Sequence, residues 1–101
     1  MKRVFRPWGH FQVLADETDH KVKRIVVDPG LRTSLQRHEK RREHWFVVTG
    51  SFRVVLGDDN LILQSGNSLT VPANMLHRLH NDDSVPAVLI VVQSGEYFGE
   101  D

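Results

Sequence analysis

The sequence repeats one unit, a short run of Val, Ile, Leu and Phe that is closed by Gly, Asp, Asn or Pro. Runs of β-branched and aromatic residues bounded by turn residues are typical of β-strands. They recur roughly every 8–12 residues, a spacing that indicates a β-sandwich or barrel. The predicted strands cover residues 11–14, 22–27, 45–48, 52–56, 61–63, 69–71 and 85–92.

Helical patterning is weak throughout the chain. No segment of about ten residues or more carries apolar residues at the i, i+3, i+4, i+7 spacing of an amphipathic helix. The most helix-like composition, in residues 36–43, has almost no apolar face and predicts a strand end followed by a loop. No linker or repeat divides the 101 residues, so we expect one all-β domain over residues 1–101.

Composition excludes several classes of protein. Lys and Arg number 13 and Asp and Glu number 13, so no net field attracts nucleic acid or an anionic membrane. The longest apolar run, residues 85–92, falls far short of the ~20 residues of a membrane span, and no apolar leader opens the chain. We therefore expect a soluble cytoplasmic protein that binds neither nucleic acid nor membrane. Because Cys is absent, His and carboxylates must carry any chemistry.

The zero net charge conceals an uneven distribution along the chain. Residues 1–42 hold 11 Lys and Arg against five Asp and Glu, whereas residues 43–101 hold two against eight. Such a division has two explanations, a local site for an anion or the pairing of oppositely charged strands in a sheet. Sequence alone leaves both open.

Four of the six His fall into two spaced patterns. The first is Gly30-x5-Gln36-x-His38-x4-Glu43-x6-Gly50. Side chains at i and i+2 of a strand share a face, so Gln36 and His38 point together. The intervening turn then returns the chain so that Glu43 joins them from the next strand.

The second pattern is Gly66-x5-Pro72-x-Asn74-x2-His77-x3-Asn81, in which Pro72 and Asn74 predict a turn that brings His77 to the start of a strand. Two imidazoles, a carboxylate and an amide oxygen suit one divalent ion, zinc first, with iron, manganese and nickel as alternatives. The predicted metal ligands are Gln36, His38, Glu43 and His77. The plainer alternative is two structural histidines and a surface carboxylate.

Together the two patterns resemble the paired motifs of the cupin superfamily, a small jelly-roll barrel, or double-stranded β-helix, that holds a metal ion. The chain has Gln36 where the usual first motif has His, and Asn74 where the usual second motif has Gly. Further blocks are similar to the C-terminal cupin domain of type II mannose-6-phosphate isomerases. They are Arg6-Pro-Trp-Gly9, Val22-Lys-Arg-Ile-Val-Val27, Ser34-Leu-Gln-x-His38, Arg41-x-Glu-His-Trp45, Val71-Pro-Ala73, His77-Arg78 and Gln93-Ser-Gly-Glu-Tyr-x-Gly-Glu-Asp101.

This resemblance extends from Arg6 to Asp101. In that family the domain normally follows a mannose-1-phosphate guanylyltransferase domain, which is not in this sequence. One departure is Lys40, where the family usually carries a further His.

The resemblance implies a metal-dependent isomerase that interconverts mannose 6-phosphate and fructose 6-phosphate. Such a reaction moves a proton between adjacent carbons, so it needs an electrophile, an acid/base group and a phosphate holder. Arg41 matches the family's Arg two residues before the Glu and is the expected phosphate holder. Lys23, or failing it Glu96, is the expected proton-transfer residue.

Two other functions remain open. One is a non-catalytic cupin that binds a sugar or nucleotide sugar, and the other is a cupin enzyme acting on another small sugar or acid. Sheet edges and small size further predict a homodimer through the N-terminal strands around Val4, Phe5 and Trp8.

Overall fold

The architecture is entirely β in the computed structural model, which describes residues 2–99. This confirms the predicted fold class. The final two residues of the C-terminal block, Glu100 and Asp101, lie outside the described residues. The strands are β1 (Arg3–Arg6), β2 (Gly9–Asp16), β3 (His20–Val27), β4 (Arg41–Thr49), β5 (Ser51–Leu56), β6 (Asp59–Gln64), β7 (Ser68–Val71), β8 (His77–His80) and β9 (Ala87–Gly95).

Two antiparallel sheets form the barrel. The larger has six strands in the order β1-β2-β3-β9-β4-β7, and the smaller has three in the order β6-β5-β8. Single bridges between Arg32 and His80 and between Gln36 and His77 lay the segment before β4 along the free edge of β8. This segment therefore extends the smaller sheet and carries the first His pattern to the second.

The strict alternation of β4 defines the barrel interior. Arg41, Glu43, Trp45 and Val47 are buried, and the residues between them are exposed. Their partners on β9 run from Gly95, opposite Arg41, to Leu89, opposite Val47. The inward face consequently changes from polar at one end of the barrel to apolar at the other.

The apolar end of the barrel is closed by a packed core. Val27, Val47, Phe52, Val54 and Leu89 are fully buried there. They come from both sheets, so burial of their apolar surface is the main force that holds the sheets together. At the opposite end the space between the sheets remains open.

Every predicted apolar run overlaps a strand, most strands extend beyond the predicted run, and two boundaries differ for identifiable reasons. The last run was predicted to begin at residue 85, but β9 begins at Ala87. The strand starts only there because Pro86 has no N–H to donate to the sheet. The loop predicted in residues 36–43 ends sooner than expected, since β4 begins at Arg41. No helix in the described part of the chain is long and apolar enough to cross a membrane.

Candidate functional site

The open end of the barrel contains a cavity of about 640 Å³. Its apolar base is formed by Trp45, Leu79 and Val91, which belong to or adjoin the core. Its rim is built by strands of both sheets and by residues 32–36. A concave space of this size with a few polar groups has the properties of a small-molecule site.

Cationic side chains dominate the polar lining of this cavity. Glu43 is the one carboxylate among the lining residues that the structure describes. A pocket of one charge sign inside low-dielectric walls concentrates ligands of the opposite charge. The cations are Arg6, Lys21, Lys23, Arg32, Arg41 and Arg78.

Glu43 is buried and accepts hydrogen bonds from three side chains. Trp45 Nε1 donates to Oε1 at 2.9 Å, and Arg41 Nε and Gln93 Nε2 each donate to Oε2 at 3.0 Å. Arg41 and Trp45 stand two residues to either side on β4, and Gln93 is the cross-strand partner on β9. A carboxylate has about four lone-pair positions, so this arrangement uses three of them.

The surroundings of Glu43 keep its carboxyl ionised. Burial alone raises the pKa of Glu43, but the Trp45 hydrogen bond and electrostatic interactions with the neighbouring His77, Arg41 and His38 side chains outweigh it. The pKa therefore lies below its usual value. Glu43 is a fixed negative charge in a cavity that is otherwise cationic.

The second His pattern places His77 as its spacing predicts. Asn74 adopts a left-handed conformation with φ of 68°, and the turn it forms brings His77 to the first position of β8. The His77 Nδ1–H donates to the Met75 carbonyl at 3.0 Å, which leaves Nε2 as the acceptor nitrogen. Burial lowers the pKa of His77 and favours this neutral form.

His38 lies beside two of the other three predicted ligands, His77 and Glu43. Its ring centroid is 5.2 Å from that of His77, and its Nε2 is 3.9 Å from Glu43 Oε2. The backbone carbonyl of His38 accepts from the Asn74 N–H at 2.8 Å, which ties the two patterns together. Three of the four predicted ligands thus converge, although they come from separate parts of the chain.

Gln36 joins this group mainly through its backbone. It exchanges two hydrogen bonds with His77, Gln36 N–H to His77 O at 2.9 Å and His77 N–H to Gln36 O at 2.8 Å. The Gln36 side chain lines the cavity and donates from Nε2 to Ser34 Oγ at 3.0 Å.

The chemistry of this donor set fits a divalent cation. Neutral imidazoles and an ionised carboxylate are common ligands of zinc and similar ions, and the Met75 contact fixes one imidazole tautomer as in many metal sites. Over residues 2–99, however, no group of three or more His, Cys, Asp or Glu side chains is arranged to hold a metal ion. The predicted metal site is therefore not a closed coordination shell in this conformation.

The three predicted catalytic residues occupy different surroundings. Lys23 lines the cavity from β3, with its Nζ 4.7 Å from the centroid of the Phe11 ring. Arg41 also lines the cavity, but it is buried and donates to Glu43 and to the Gly99 carbonyl. Glu96 is exposed after β9 and is not among the residues that line the cavity.

One buried polar residue of the site was not singled out from the sequence. Gln93 lies on the inward face of β9, between Lys21 on β3 and Glu43 on β4. In the sequence, only its position in the C-terminal block that resembles the family indicated that it belongs to the site. Its role depends on strand register, which spacing within the sequence does not specify.

Comparison with known proteins identifies the family. The mannose-6-phosphate isomerase C-terminal family matches the chain over residues 1–101. The chain belongs to this family. It is 45% identical over 100 residues to the xanthan biosynthesis protein XanB of Xanthomonas campestris, covering 99% of this chain and 21% of that protein.

Another relative of this mannose-6-phosphate isomerase C-terminal domain is mannose-1-phosphate guanylyltransferase 2 of Escherichia coli O157:H7. It is 41% identical over 100 residues, which again cover 99% of this chain and 21% of the relative. The chain thus spans about a fifth of the length of the curated relatives it matches.

Solved structures establish the cupin fold of the domain. An RmlC-like cupin from Shewanella frigidimarina superposes with a TM-score of 0.83 at 22% identity, covering 93% of this chain and 83% of the other. The jelly-roll prediction is therefore confirmed. At this identity the likeness concerns the fold alone.

Proposed function

We propose that the cavity binds a phosphorylated hexose and that the protein interconverts its aldose and ketose forms, mannose 6-phosphate and fructose 6-phosphate. The observation that carries this proposal is a cationic cavity lined by one ionised carboxylate and the buried imidazole of His77, with the buried imidazole of His38 next to both. Cations suit the phosphate, and the carboxylate and imidazoles suit the polar groups of the sugar. Membership of the mannose-6-phosphate isomerase C-terminal family adds support.

The proposal includes one divalent metal ion, zinc first among the candidates, held by Gln36, His38, Glu43 and His77. When bound, such an ion polarises a carbonyl oxygen and stabilises the negative charge that develops on it. The convergence of His38, Glu43 and His77 supports this assignment. The fourth lone-pair position of Glu43 is the one available to a cation.

The three predicted catalytic residues have different roles in this proposal. Lys23 transfers the proton between the adjacent carbons, because it lines the cavity from β3. Arg41 holds Glu43 in position and presents its guanidinium to the phosphate. Glu96 is the weaker alternative for proton transfer, since it is outside the cavity lining.

A second candidate is a sugar-binding or nucleotide-sugar-binding domain without isomerase activity. It is favoured by the relatives named mannose-1-phosphate guanylyltransferase, of which this chain matches only 21%. In such a protein the cavity would bind the ligand and another region would carry out the chemistry. Both candidates require the same cationic cavity.

Turnover separates the two candidates. Purified protein loaded with zinc, manganese, iron or nickel is incubated with mannose 6-phosphate, and fructose 6-phosphate is followed by a coupled assay. We expect turnover that is abolished in His38→Ala, and a bound metal, measured by elemental analysis, that decreases in the same variant. Turnover no higher than that of His38→Ala would overturn the isomerase proposal, and tight binding without conversion would favour the second candidate.

A further inference from the structure

The side-chain oxygen of Gln93 is unusual for a residue that lines a cavity, because it is buried and unpaired within the part of the chain that the structure describes. The residue is only 2% exposed, and its side-chain Oε1 is buried without a hydrogen-bond partner among residues 2–99. Buried side-chain oxygens are almost always paired in folded proteins, because an unpaired one loses its bond to water and gains nothing. Gln93 lines the cavity, so a buried acceptor without a partner on this residue indicates a donor supplied by a ligand.

The orientation of the Gln93 amide is fixed by its other end. Nε2 donates to Glu43 Oε2 at 3.0 Å, and the same oxygen accepts from Arg41 Nε. Rotating the amide would place Oε1 against the carboxylate, an acceptor facing an acceptor. Oε1 must therefore face away from Glu43.

Neighbouring residues do not supply the missing donor. Lys21 is the cross-strand neighbour of Gln93 on β3, and its Nζ lies 4.0 Å from an Asp16 carboxylate oxygen. Neutral acceptors such as Oε1 pair with hydroxyl and amide groups, whereas phosphate and carboxylate oxygens carry no proton to donate. The missing partner is consequently not a phosphate or carboxylate oxygen but an O–H or N–H group, which on a sugar phosphate is a hydroxyl.

We propose that Gln93 is a specificity residue whose Oε1 accepts a hydrogen bond from one hydroxyl of a bound sugar. This inference rests on the proposed function and adds to it the orientation of the ligand. A sugar hydroxyl lies at Gln93, beside Glu43, and the phosphate lies toward the cations that line the cavity, Arg41 among them. The ligand class is a polyol phosphate with a free hydroxyl at one particular carbon.

The test combines a variant with ligands that lack single hydroxyls. Binding of mannose 6-phosphate and its 2-, 3- and 4-deoxy analogues is measured by calorimetry for the wild type and for Gln93→Met, which conserves side-chain length. Ser94→Ala, on the outward face of β9, is the matched control. Thermal unfolding verifies that each variant is folded.

One pattern of affinities supports the proposal. Removal of one hydroxyl weakens binding to the wild type by about tenfold, and Gln93→Met weakens binding of the parent sugar by a similar factor. For that one deoxy analogue, however, Gln93→Met causes no further loss. Loss of the Nε2 bond to Glu43 affects all ligands equally, so only the Oε1 contact produces this coupling.

Other outcomes overturn the proposal. Equal losses for every analogue would show that Gln93 only supports Glu43, and wild-type affinities in Gln93→Met would show that a water molecule satisfies Oε1. If none of the four sugar phosphates binds, a polyol phosphate is excluded as the ligand. Binding with the predicted coupling but without turnover would overturn the isomerase alone and leave this inference intact.

Discussion

At the scale of single residues, Glu43 organises the site. Its carboxylate accepts from Arg41 and Trp45 on its own strand and from Gln93 on the next strand. Because side chains two residues apart share a face of a strand, the Arg-x-Glu-x-Trp spacing is sufficient to place the first two donors. The result is a rigid negative charge at the base of a cationic cavity.

Replacing Trp45 by Phe tests the contribution of the indole donor. The variant keeps an aromatic ring in the core but leaves Glu43 Oε1 without its partner, so we expect a loss of about 1–3 kcal/mol in the free energy of unfolding. Urea denaturation measures this change. Phe46→Leu, at the next position on the exposed face of β4, should stay within about 0.5 kcal/mol. Equal effects of the two substitutions would contradict the role of the hydrogen bond.

The stability of the metal-free protein should decrease in acid through His77. Burial lowers its pKa in the folded chain, so the unfolded chain binds the proton first once the pH falls below about 6.5. Chemical denaturation from pH 7.5 to 5.5, with a chelator present, should show a falling free energy of unfolding. His77→Gln should reduce this slope, and His44→Gln on the exposed face should preserve it. An unchanged slope in His77→Gln would refute the assignment.

Sequence spacing predicted part of this site and missed another part. The positions of His38, Glu43 and His77 followed from two patterns and a shared strand face, and the structure brings them together. Gln93 could not be found in this way, because it meets Glu43 only through the register of β4 with β9. The exposed position of Glu96 likewise depends on where β9 ends.

At the scale of elements, the turn between β4 and β5 is tightly constrained. Gly50 has φ of +80°, and an added Cβ would approach Ala87 Cβ to 2.9 Å. Gly66 has a similar φ of +88°, with no atom within 4 Å of an added Cβ. A comparison of alanine substitutions at the two glycines therefore distinguishes the cost of backbone strain from the cost of steric contact.

Alanine at these two positions should have unequal effects. Gly66→Ala is expected to cost about 1–2 kcal/mol of unfolding free energy, from the left-handed backbone alone. Gly50→Ala adds the collision with Ala87, about 1–3 kcal/mol more. Denaturation of both variants checks the difference. Equal losses would show that β9 moves freely away from the turn.

Local sequence predicted the elements better than their ends. Each apolar run forms a strand because alternation of apolar and polar residues places the apolar side chains on one face of a sheet, where they pack against the core. β8 has little apolar signal of its own. It has one buried aliphatic residue, Leu79, and was predicted only through the turn before His77.

At the scale of the whole molecule, cations from the basic part of the chain gather at the cavity. Five of the six cations that line the cavity, all except Arg78, come from residues 1–42. This favours a local anion site over the pairing of oppositely charged strands. The basic part of the chain supplies five of these six cations, and the carboxylate Glu43 comes from the start of the remainder.

The exposed edge of the larger sheet bears on oligomeric state. β1 is an edge strand, and Phe5 on it is 69% exposed. Unpaired strand edges with apolar side chains favour association between chains. On this ground we predict a homodimer. Light scattering at micromolar concentration should give twice the chain mass, and Phe5→Glu should give the monomer mass. Ile62→Glu, exposed on β6, should leave the dimer intact. A monomeric wild type would refute the prediction.

The central claim is that this cavity moves a proton on a sugar phosphate. Mannose 6-phosphate is incubated with the metal-loaded protein in D₂O and followed by proton NMR. The account predicts that fructose 6-phosphate appears and that the C2 proton of mannose 6-phosphate exchanges for deuterium, both only when His38 and Glu43 are intact. Saturated binding of mannose 6-phosphate with neither conversion nor exchange would contradict it.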